Sequence, residues 1–241
     1  MIKHYINIAL RNLLKQKALT GINIFGLSIG IGCFTLLLLY AVNEFNYDRF
    51  HKNKADIYKV YRWSPASKGE PGGGETYLPM PLGPAIKQDI PAVKEFVRLR
   101  EGWGKEIVRI DDKTTIIPGL SFADPCFFTV FSFPLKSGNP AQVLSGLNAV
   151  VITETMAKKL FSLENPVGKT MEIKLQNKFV PFVVSGVCED MPSNSSIQFD
   201  ILIPFSYLQT MWDDKTWLNS YLPTFVVLHP KANLKTLEQK F

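Results

Sequence analysis

The hydrophobic positions near the N-terminus form one unbroken stretch. No residue from Ala18 to Asn43 is charged, and Leu36–Tyr40 is wholly apolar or aromatic. A helix over this stretch is about 39 Å long, more than the roughly 30 Å hydrocarbon core of a bilayer. A cleavable signal peptide has a shorter apolar region, of about 7–15 residues, that ends at a small-x-small site. The pattern predicts an uncleaved transmembrane helix, with a cleaved signal peptide as the alternative.

Residues 1–17 carry apolar side chains every three or four positions, with polar side chains between them. This spacing predicts an amphipathic helix in the membrane interface, which we call the elbow helix. Its candidate contacts with the membrane interface or with a cytoplasmic partner are four cations, Lys3, Arg11, Lys15 and Lys17. The alternative is a basic flank that does no more than orient the span.

The charges on either side of the span predict its orientation. Lys and Arg crowd the N-terminal side, whereas the first charges beyond the span are Glu44 and Asp48. Because cytoplasmic flanks carry an excess of cations, we expect the N-terminus in the cytoplasm and residues 44–241 outside it. Three cations at 49–54 weaken this asymmetry without reversing it.

Small residues recur one helical turn apart inside the span. Gly26 and Gly30 form one such pair, and Ser28 and Gly32 form another, on what the spacing suggests are neighbouring ridges. Small residues let a second helix approach closely, so all four are candidate helix-packing positions. Because glycine is common in membrane helices, the same residues also fit an anchor that packs against nothing.

Beyond the span the pattern changes to short strands and helices. Apolar runs and period-two alternation predict strands at Ile57–Trp63, Val93–Arg100, Glu106–Ile110, Thr114–Ile117, Ala149–Ile152, Thr170–Leu175, Phe179–Val187, Phe199–Ile203 and Thr224–Leu228. Helical spacing predicts helices at Leu82–Ile90, Pro125–Phe131, Glu154–Phe161, Phe205–Trp212 and from about Asn233. Strands outnumber helices without strict alternation, which predicts an α+β fold rather than a doubly wound parallel sheet.

The glycine-rich segment Lys68–Glu75 predicts a surface loop, with a mobile flap as the alternative. Together these patterns divide the chain into four parts. They are an elbow helix at 1–17, a transmembrane helix at 18–43, a juxtamembrane stalk at 44–57 and an extracytoplasmic domain at 58–241.

Composition narrows the classes of function. The chain has 241 residues, 46% of them hydrophobic and 20% charged, which excludes a disordered or collagenous chain. The net charge is +6, and the four cations of the elbow helix contribute four of those charges. The remaining chain is close to neutral, so we do not expect a nucleic-acid partner.

Patterns typical of catalytic or metal sites are largely missing. The three histidines, His4, His51 and His229, lack metal-ligand spacing and are expected at the surface or the membrane interface. Glu189 and Asp190 are predicted to cap a turn rather than to form an acid or cation site. The sequence therefore predicts no catalytic residue, metal or cofactor, and an anchored hydrolase has only this acidic pair in its favour.

Two further motifs have structural interpretations. The Gly-Lys-Thr at 168–170 matches the end of a phosphate-binding loop, but Leu163 stands where the first glycine is required and a strand follows instead of a helix. A helix-to-strand turn over Asn165–Thr170 is expected instead. Cys126 and Cys188 could pair outside the cytoplasm, whereas their apolar surroundings favour free buried thiols.

Three stretches, taken in order, resemble one family of membrane proteins. They are Phe127–Asn139, Ala149–Phe161 together with Asn165–Lys169, and Val184–Pro192. The set resembles the extracytoplasmic core of MacB-like, FtsX-type permeases of ATP-binding-cassette (ABC) transporters. Tyr5–Gly32 is also similar to the first span of that family, while the resemblance thins over 65–115 and 205–241.

The resemblance implies a permease subunit that couples ATP hydrolysis by a cytoplasmic ABC ATPase to movement of an extracytoplasmic domain. On this basis the chain is not an enzyme, and its core has porter-like and sabre-like subdomains. The implied partners are the ATPase, other permease spans or a second copy in a dimer, the lipid bilayer, and a periplasmic adaptor or lipoprotein. The implied location is a bacterial inner membrane, with cargo such as lipoproteins, peptides, toxins or antibiotics, as in efflux.

The chain departs from the family in one respect, because no hydrophobic stretch of membrane length follows Val42. A truncated permease is the favoured interpretation, and a degenerate single-span protein is the alternative. The second functional hypothesis is accordingly a single-span, membrane-anchored extracytoplasmic binding or sensor domain without transport activity.

Overall fold

The computed structural model describes residues 2–66, 72–102, 104–162, 164–230, 232 and 237, with the side chains at 2, 3, 9 and 10 outside the description. The chain forms two compact units, Met1–Tyr47 and Asp48–Phe241. The boundary between them falls inside the segment predicted as a stalk at 44–57.

The first unit consists of two helices, α1 (Ile2–Lys15) and α2 (Lys17–Phe45). Gln16 separates them because its φ of −108° and ψ of 58° are not helical. The Thr20 hydroxyl donates to the Leu13 carbonyl at 2.9 Å, which joins the two helices across this break. With 29 residues and an apolar composition, α2 is long enough to cross a membrane, and the predicted span at 18–43 lies within it.

The second unit is built from short strands and helices. Its strands are β1 (Ile57–Lys59), β2 (Arg62–Ser64), β3 (Gly73–Glu75), β4 (Val93–Glu101), β5 (Glu106–Ile110), β6 (Lys113–Ile117), β7 (Leu120–Ala123), β8 (Leu135–Ser137), β9 (Ala149–Thr153), β10 (Thr170–Leu175), β11 (Lys178–Cys188), β12 (Ile201–Pro204) and β13 (Thr224–Leu228). Its helices are α3 (Leu82–Asp89), α4 (Phe127–Val130), α5 (Glu154–Phe161) and α6 (Phe205–Met211).

Among the described residues, the strands form one sheet in the order β1-β13-β4-β7-β12-β9-β11-β10-β5-β6, with β8 beside β11. Strands β2 and β3 form a separate hairpin. The pairs β9–β11 and β7–β12 are parallel, and the others are antiparallel. This mixed sheet with a few helices confirms the predicted α+β fold class.

The core lies on both faces of the sheet. One cluster packs α5 and α6 against the central strands around Phe122, Phe182 and Phe205. On the opposite face a phenylalanine-rich cluster surrounds α4, where the Phe127 and Phe133 rings stack with centroids 5.5 Å apart. A third cluster packs α3 against β13. Because the central strands are covered on both faces, they carry apolar runs instead of alternating patterns.

Several elements differ from the sequence-based predictions. Strands β3, β7 and β8 were not predicted, and the predicted strand at 57–63 is divided into β1 and β2. The predicted loop at 68–75 ends in β3, and its first half lies outside the described residues. The helix predicted from Asn233 also lies largely outside them.

Candidate functional site

The small residues of α2 lie in two rows rather than on neighbouring ridges. At about 100° per residue, the Gly26–Gly30 pair and the Ser28–Gly32 pair are on nearly opposite sides of the helix. A Cβ atom added at any of the three glycines would meet nothing within 4 Å, and no described residue of α2 is buried. Both rows are therefore open among the described residues.

The elbow helix corresponds to α1 and the start of α2. The side chains of Arg11, Lys15 and Lys17 are exposed, while that of Lys3 lies outside the described part. Leu13 and Leu14 are also exposed, on the apolar face. With cations beside apolar side chains, α1 is amphipathic.

His51 is the main correction to the sequence-based expectations, because it is buried and not at a surface. Only 5% of the residue is exposed, and its ring lies 5.1 Å from the Phe133 ring and 5.3 Å from the Phe131 ring. The Ser132 N–H donates to its Nδ1 at 3.1 Å, which requires a neutral imidazole. Burial lowers the pKa of His51, and the nearby Asp48 charge opposes this only in part. A histidine in a polar segment gives no sequence signal of such burial.

The other two histidines, His4 and His229, are exposed as predicted. The segment around His51 is fixed further by the Lys52 N–H, which donates to the Ser132 hydroxyl at 2.9 Å. Asp48, the first residue of the second unit, donates its N–H to the Asn194 carbonyl at 3.0 Å. Its carboxylate accepts from the Ser196 N–H at 2.8 Å. The second unit is therefore ordered from its first residue.

The Glu189–Asp190 pair was predicted to cap a turn, and the structure shows that Asp190 instead caps the start of helix α5. The Asp190 carboxylate accepts from the Thr155 N–H at 3.0 Å and from the Thr155 hydroxyl at 2.7 Å, at the start of α5. Burial alone would raise the pKa of Asp190, but these hydrogen bonds, one from Thr153 and the Lys158 charge outweigh it and lower the pKa. The carboxylate is thus a structural anion at a helix N-terminus.

A buried ion pair lies where β4 meets the end of β7. Arg98 and Asp124 are each 6% exposed, and the guanidinium donates to both carboxylate oxygens, at 2.8 and 2.9 Å. The same guanidinium donates to the Met80 carbonyl at 3.2 Å and lies 4.0 Å from the Phe205 ring centroid. Residues from four segments of the chain therefore meet at Arg98, and the Asp124 carboxylate balances its charge inside the fold.

Two open clefts lie at the edges of the sheet. One, of about 350 Å³, lies where β4, β7 and β12 begin or end, and it carries the carboxylates of Glu101 and Asp200. Partial burial raises the pKa of Asp200, and the charge of Lys159 acts against this. The other, of about 740 Å³, lies between the β5–β6 turn and the end of α5, and it mixes cations with anions. In the part of the chain that the structure describes, no three His, Cys, Asp or Glu residues are grouped to hold a metal ion.

The Gly-Lys-Thr motif forms the predicted turn. Gly168 has a φ of 85°, Lys169 forms an ion pair with Glu164, and Thr170 begins β10. The motif therefore precedes a strand, and its amides are not arranged at the start of a helix.

Cys126 and Cys188 are free thiols, as their apolar surroundings favoured. Burial is the main cause that raises the pKa of each to about 12. The Cys126 thiol donates to the Phe96 carbonyl at 3.0 Å. Neither thiol is a nucleophile at neutral pH.

These features define a class of protein: an α+β domain of mixed sheet that follows an apolar helix of membrane-spanning length. The chain belongs to the MacB-like periplasmic core domain family, which it matches over residues 20–241. Domains of this family are parts of ABC-transporter permeases. The match confirms the resemblance to MacB-like permeases that the sequence motifs indicated. No curated protein matches the chain.

Solved structures share the fold. A domain of a protein described as a permease from Porphyromonas gingivalis is 23% identical, with a TM-score of 0.65 over 79% of this chain and 80% of that one. The periplasmic region of MacB from Actinobacillus actinomycetemcomitans is 18% identical, with a TM-score of 0.54 over 77% and 80%. The extracellular domain of the noncanonic ABC-type transporter YknZ from Gram-positive bacteria is 20% identical, with a TM-score of 0.51 over 75% and 87%. The second unit is thus a membrane-anchored extracytoplasmic domain of this family.

Proposed function

We propose that the chain is the membrane subunit of an ABC transporter or mechanotransmission complex. In this function a cytoplasmic ATPase partner hydrolyses ATP, and movement of the membrane helix is passed to the extracytoplasmic domain, which handles cargo such as lipoproteins, peptides or antibiotics. The N-terminus is then cytoplasmic, residues 44–241 are periplasmic, and the membrane is the bacterial inner membrane.

The observation that carries the proposal is the connection between helix and domain. The helix α2 ends at Phe45, and the backbone of Asp48 already bonds within the domain. Two residues separate them, and the buried His51 fixes the next turn of the chain. A tether that only anchors a domain works with a long flexible linker, whereas a helix that passes on movement needs a short connection.

The remaining features are given roles by this proposal. The two rows of small residues, Gly26 with Gly30 and Ser28 with Gly32, pack against other permease spans or a second copy in a dimer. The elbow cations Arg11, Lys15 and Lys17, together with Lys3, lie at the membrane interface and contact the ATPase. A periplasmic adaptor or lipoprotein is a further partner.

The test is a flexible insertion between Asn46 and Tyr47 in the permease that contains this chain. Insertion of Gly-Ser-Gly-Ser is expected to leave co-purification with the ATPase intact and to abolish transport-linked stimulation of ATP hydrolysis. The matched control places the same four residues in the exposed turn at Asp111–Asp112. Full stimulation with the linker at 46–47 would contradict the proposal and favour an anchored binding or sensor domain.

A further inference from the structure

Two segments of the second unit, the β2–β3 hairpin and the loop at 212–221, lie at the same end of the β1–β13 strand pair. The chain enters β1 beside the end of β13, where the Leu228 N–H donates to the Asp56 carbonyl at 3.0 Å. At the other end of this strand pair, the Val60 N–H donates to the Thr224 carbonyl at 2.9 Å. The β2–β3 hairpin follows Val60, and the loop at 212–221 leads into Thr224, so both lie at this second end.

The two segments are also joined directly. The Leu78 N–H donates to the Leu222 carbonyl at 2.8 Å, in an isolated antiparallel bridge. Together they carry six exposed apolar or aromatic side chains, which we call the aromatic end: Tyr61, Trp63, Tyr77, Trp212, Trp217 and Leu218. Among the described residues of the second unit, six of the nine large hydrophobic side chains that are exposed lie here.

The hairpin holds its aromatic side chains in place through a glycine. A Cβ atom at Gly74 would lie 3.1 Å from the Tyr61 ring and 3.8 Å from the Trp63 ring, so both rings cover the space that a side chain would fill. All residues of β2 and β3 are exposed, and Trp63 is 64% exposed. An isolated two-stranded hairpin is marginally stable in water, so an exposed one with two packed rings is better suited to meet a partner than to form a core.

The loop is held by Asp214, which is 9% exposed. Its carboxylate accepts from the Thr216 N–H at 2.9 Å, the Thr216 hydroxyl at 2.7 Å and the Asn219 amide at 2.7 Å. Hydrogen bonds from Asn219 and Thr216 lower the pKa of Asp214, so the carboxylate stays charged at neutral pH. This frame presents Leu218, which is 92% exposed, and Trp217, which is 55% exposed. A fixed loop loses little conformational entropy when its apolar tip is buried.

The size of the aromatic end fits a protein interface. With about 200 Å² for each fully exposed side chain, the six side chains offer roughly 700 Å². The largest apolar patch on a typical monomer is about 300–600 Å², and one side of a stable interface buries about 800 Å². Tryptophan and tyrosine are also the residues that dominate binding energy in protein interfaces.

The charges at the aromatic end indicate what it binds. Arg62 pairs with Glu75 on the hairpin, and Lys215 lies 3.4 Å from Asp213 in the loop. Because both of these cations lie beside carboxylates, the described residues of the aromatic end offer little to attract an anionic lipid surface. The Asp214 carboxylate is buried and accepts hydrogen bonds from Thr216 and Asn219, so it is not offered to the surface of an uncharged protein partner.

We infer that the aromatic end is a docking surface for a protein partner outside the cytoplasm, one that presents a neutral, apolar surface to Trp63, Trp217 and Leu218. The inference rests on the proposed function only for the location of the domain. It does not need ATP hydrolysis, so its test is independent of the linker experiment.

The test begins with p-benzoylphenylalanine in place of Trp217 in the full chain in cells, followed by ultraviolet crosslinking and identification of the adduct. The identified protein is then purified, and its affinity for the detergent-solubilised chain is measured. Leu218→Ser and Trp63→Ser should each weaken binding at least tenfold. Matched controls are Leu147→Ser and Ile116→Ser, two exposed apolar residues elsewhere, which should change the affinity less than twofold.

Because all four residues are exposed, circular dichroism of each variant should match that of the wild type. Three results would overturn the inference. They are crosslinks to lipid only, crosslinks only to a second copy of this chain, and a loss of affinity equal in the aromatic-end and control variants.

Discussion

Two buried residues make the stability of the extracytoplasmic domain depend on protonation and on an ion pair. His51 and Arg98 are both buried, and each lies among aromatic rings. They differ in charge, because His51 accepts a hydrogen bond as a neutral ring, whereas Arg98 is an ion held by a carboxylate. The two residues therefore lead to different predictions.

The first prediction concerns acid. The folded-state pKa of His51 lies below the value of about 6.5 in the unfolded chain, so the unfolded state binds more protons between these two values. The stability that depends on His51 is complete above about pH 6.5 and is lost as the pH falls toward the folded-state pKa. A single titrating group changes the free energy of unfolding by at most about 1.4 kcal/mol per pH unit.

Urea unfolding of the solubilised chain at several pH values from 7.5 to 5 measures this slope. His51→Gln keeps an acceptor for the Ser132 N–H but does not titrate, so its curve should be flatter than that of the wild type. Parallel curves for the two proteins would show that the pKa of His51 is the same in the folded and unfolded states.

The second prediction concerns the buried ion pair. Asp124→Asn leaves the Arg98 guanidinium buried without its counter-ion, and it should lower the free energy of unfolding by about 3–5 kcal/mol. The matched control is Glu75→Gln, which breaks the exposed pair with Arg62 and should cost less than about 1 kcal/mol. Urea unfolding compares the two variants, and equal effects would mean that the Arg98–Asp124 pair contributes no more than a surface pair.

Helices and strands differ in how much of them the sequence could predict. Long elements such as α2, β4 and β11 were predicted nearly to their ends, α2 because its apolar stretch is unbroken and the two strands because apolar residues recur along them. Strand β7 was not, because its four residues are all buried and so show no alternation, and an Asp-Pro turn follows at once. Strand β8 is three residues long, and β3 consists of Gly73, Gly74 and Glu75, whose composition is that of a loop.

The third prediction belongs to α2. If Gly26 and Gly30 form a packing row, the double substitution Gly26→Leu and Gly30→Leu should reduce association with other spans at least tenfold without unfolding the second unit. Gly21→Leu is the control, since Gly21 lies in equally open space but on the opposite side of the helix from Gly26 and Gly30. Co-purification of tagged copies measures association. A similar yield from all three proteins would make the row incidental.

For the whole molecule, the candidate positions on α2 and in the elbow helix could be proposed from the sequence and stay predictions, whereas the burial of His51 could not be proposed from it. Positions on one helix follow from spacing alone. A contact such as His51 with Ser132 depends on how segments 81 residues apart fold together, and the sequence carries no local sign of it. The same holds for the aromatic end, which exists only because the Leu78–Leu222 bridge brings two distant segments together.

The position of the tryptophans has a practical consequence. Trp63, Trp212 and Trp217 all lie at one end of the β1–β13 pair, and the Trp212 ring stacks on Tyr221 with centroids 4.3 Å apart. Once Trp103 is replaced by Phe, the tryptophan fluorescence of the chain, excited at a wavelength that tyrosine does not absorb, arises from that end alone. The emission maximum then becomes a built-in optical reporter of whether this surface faces water or is covered, with no added dye.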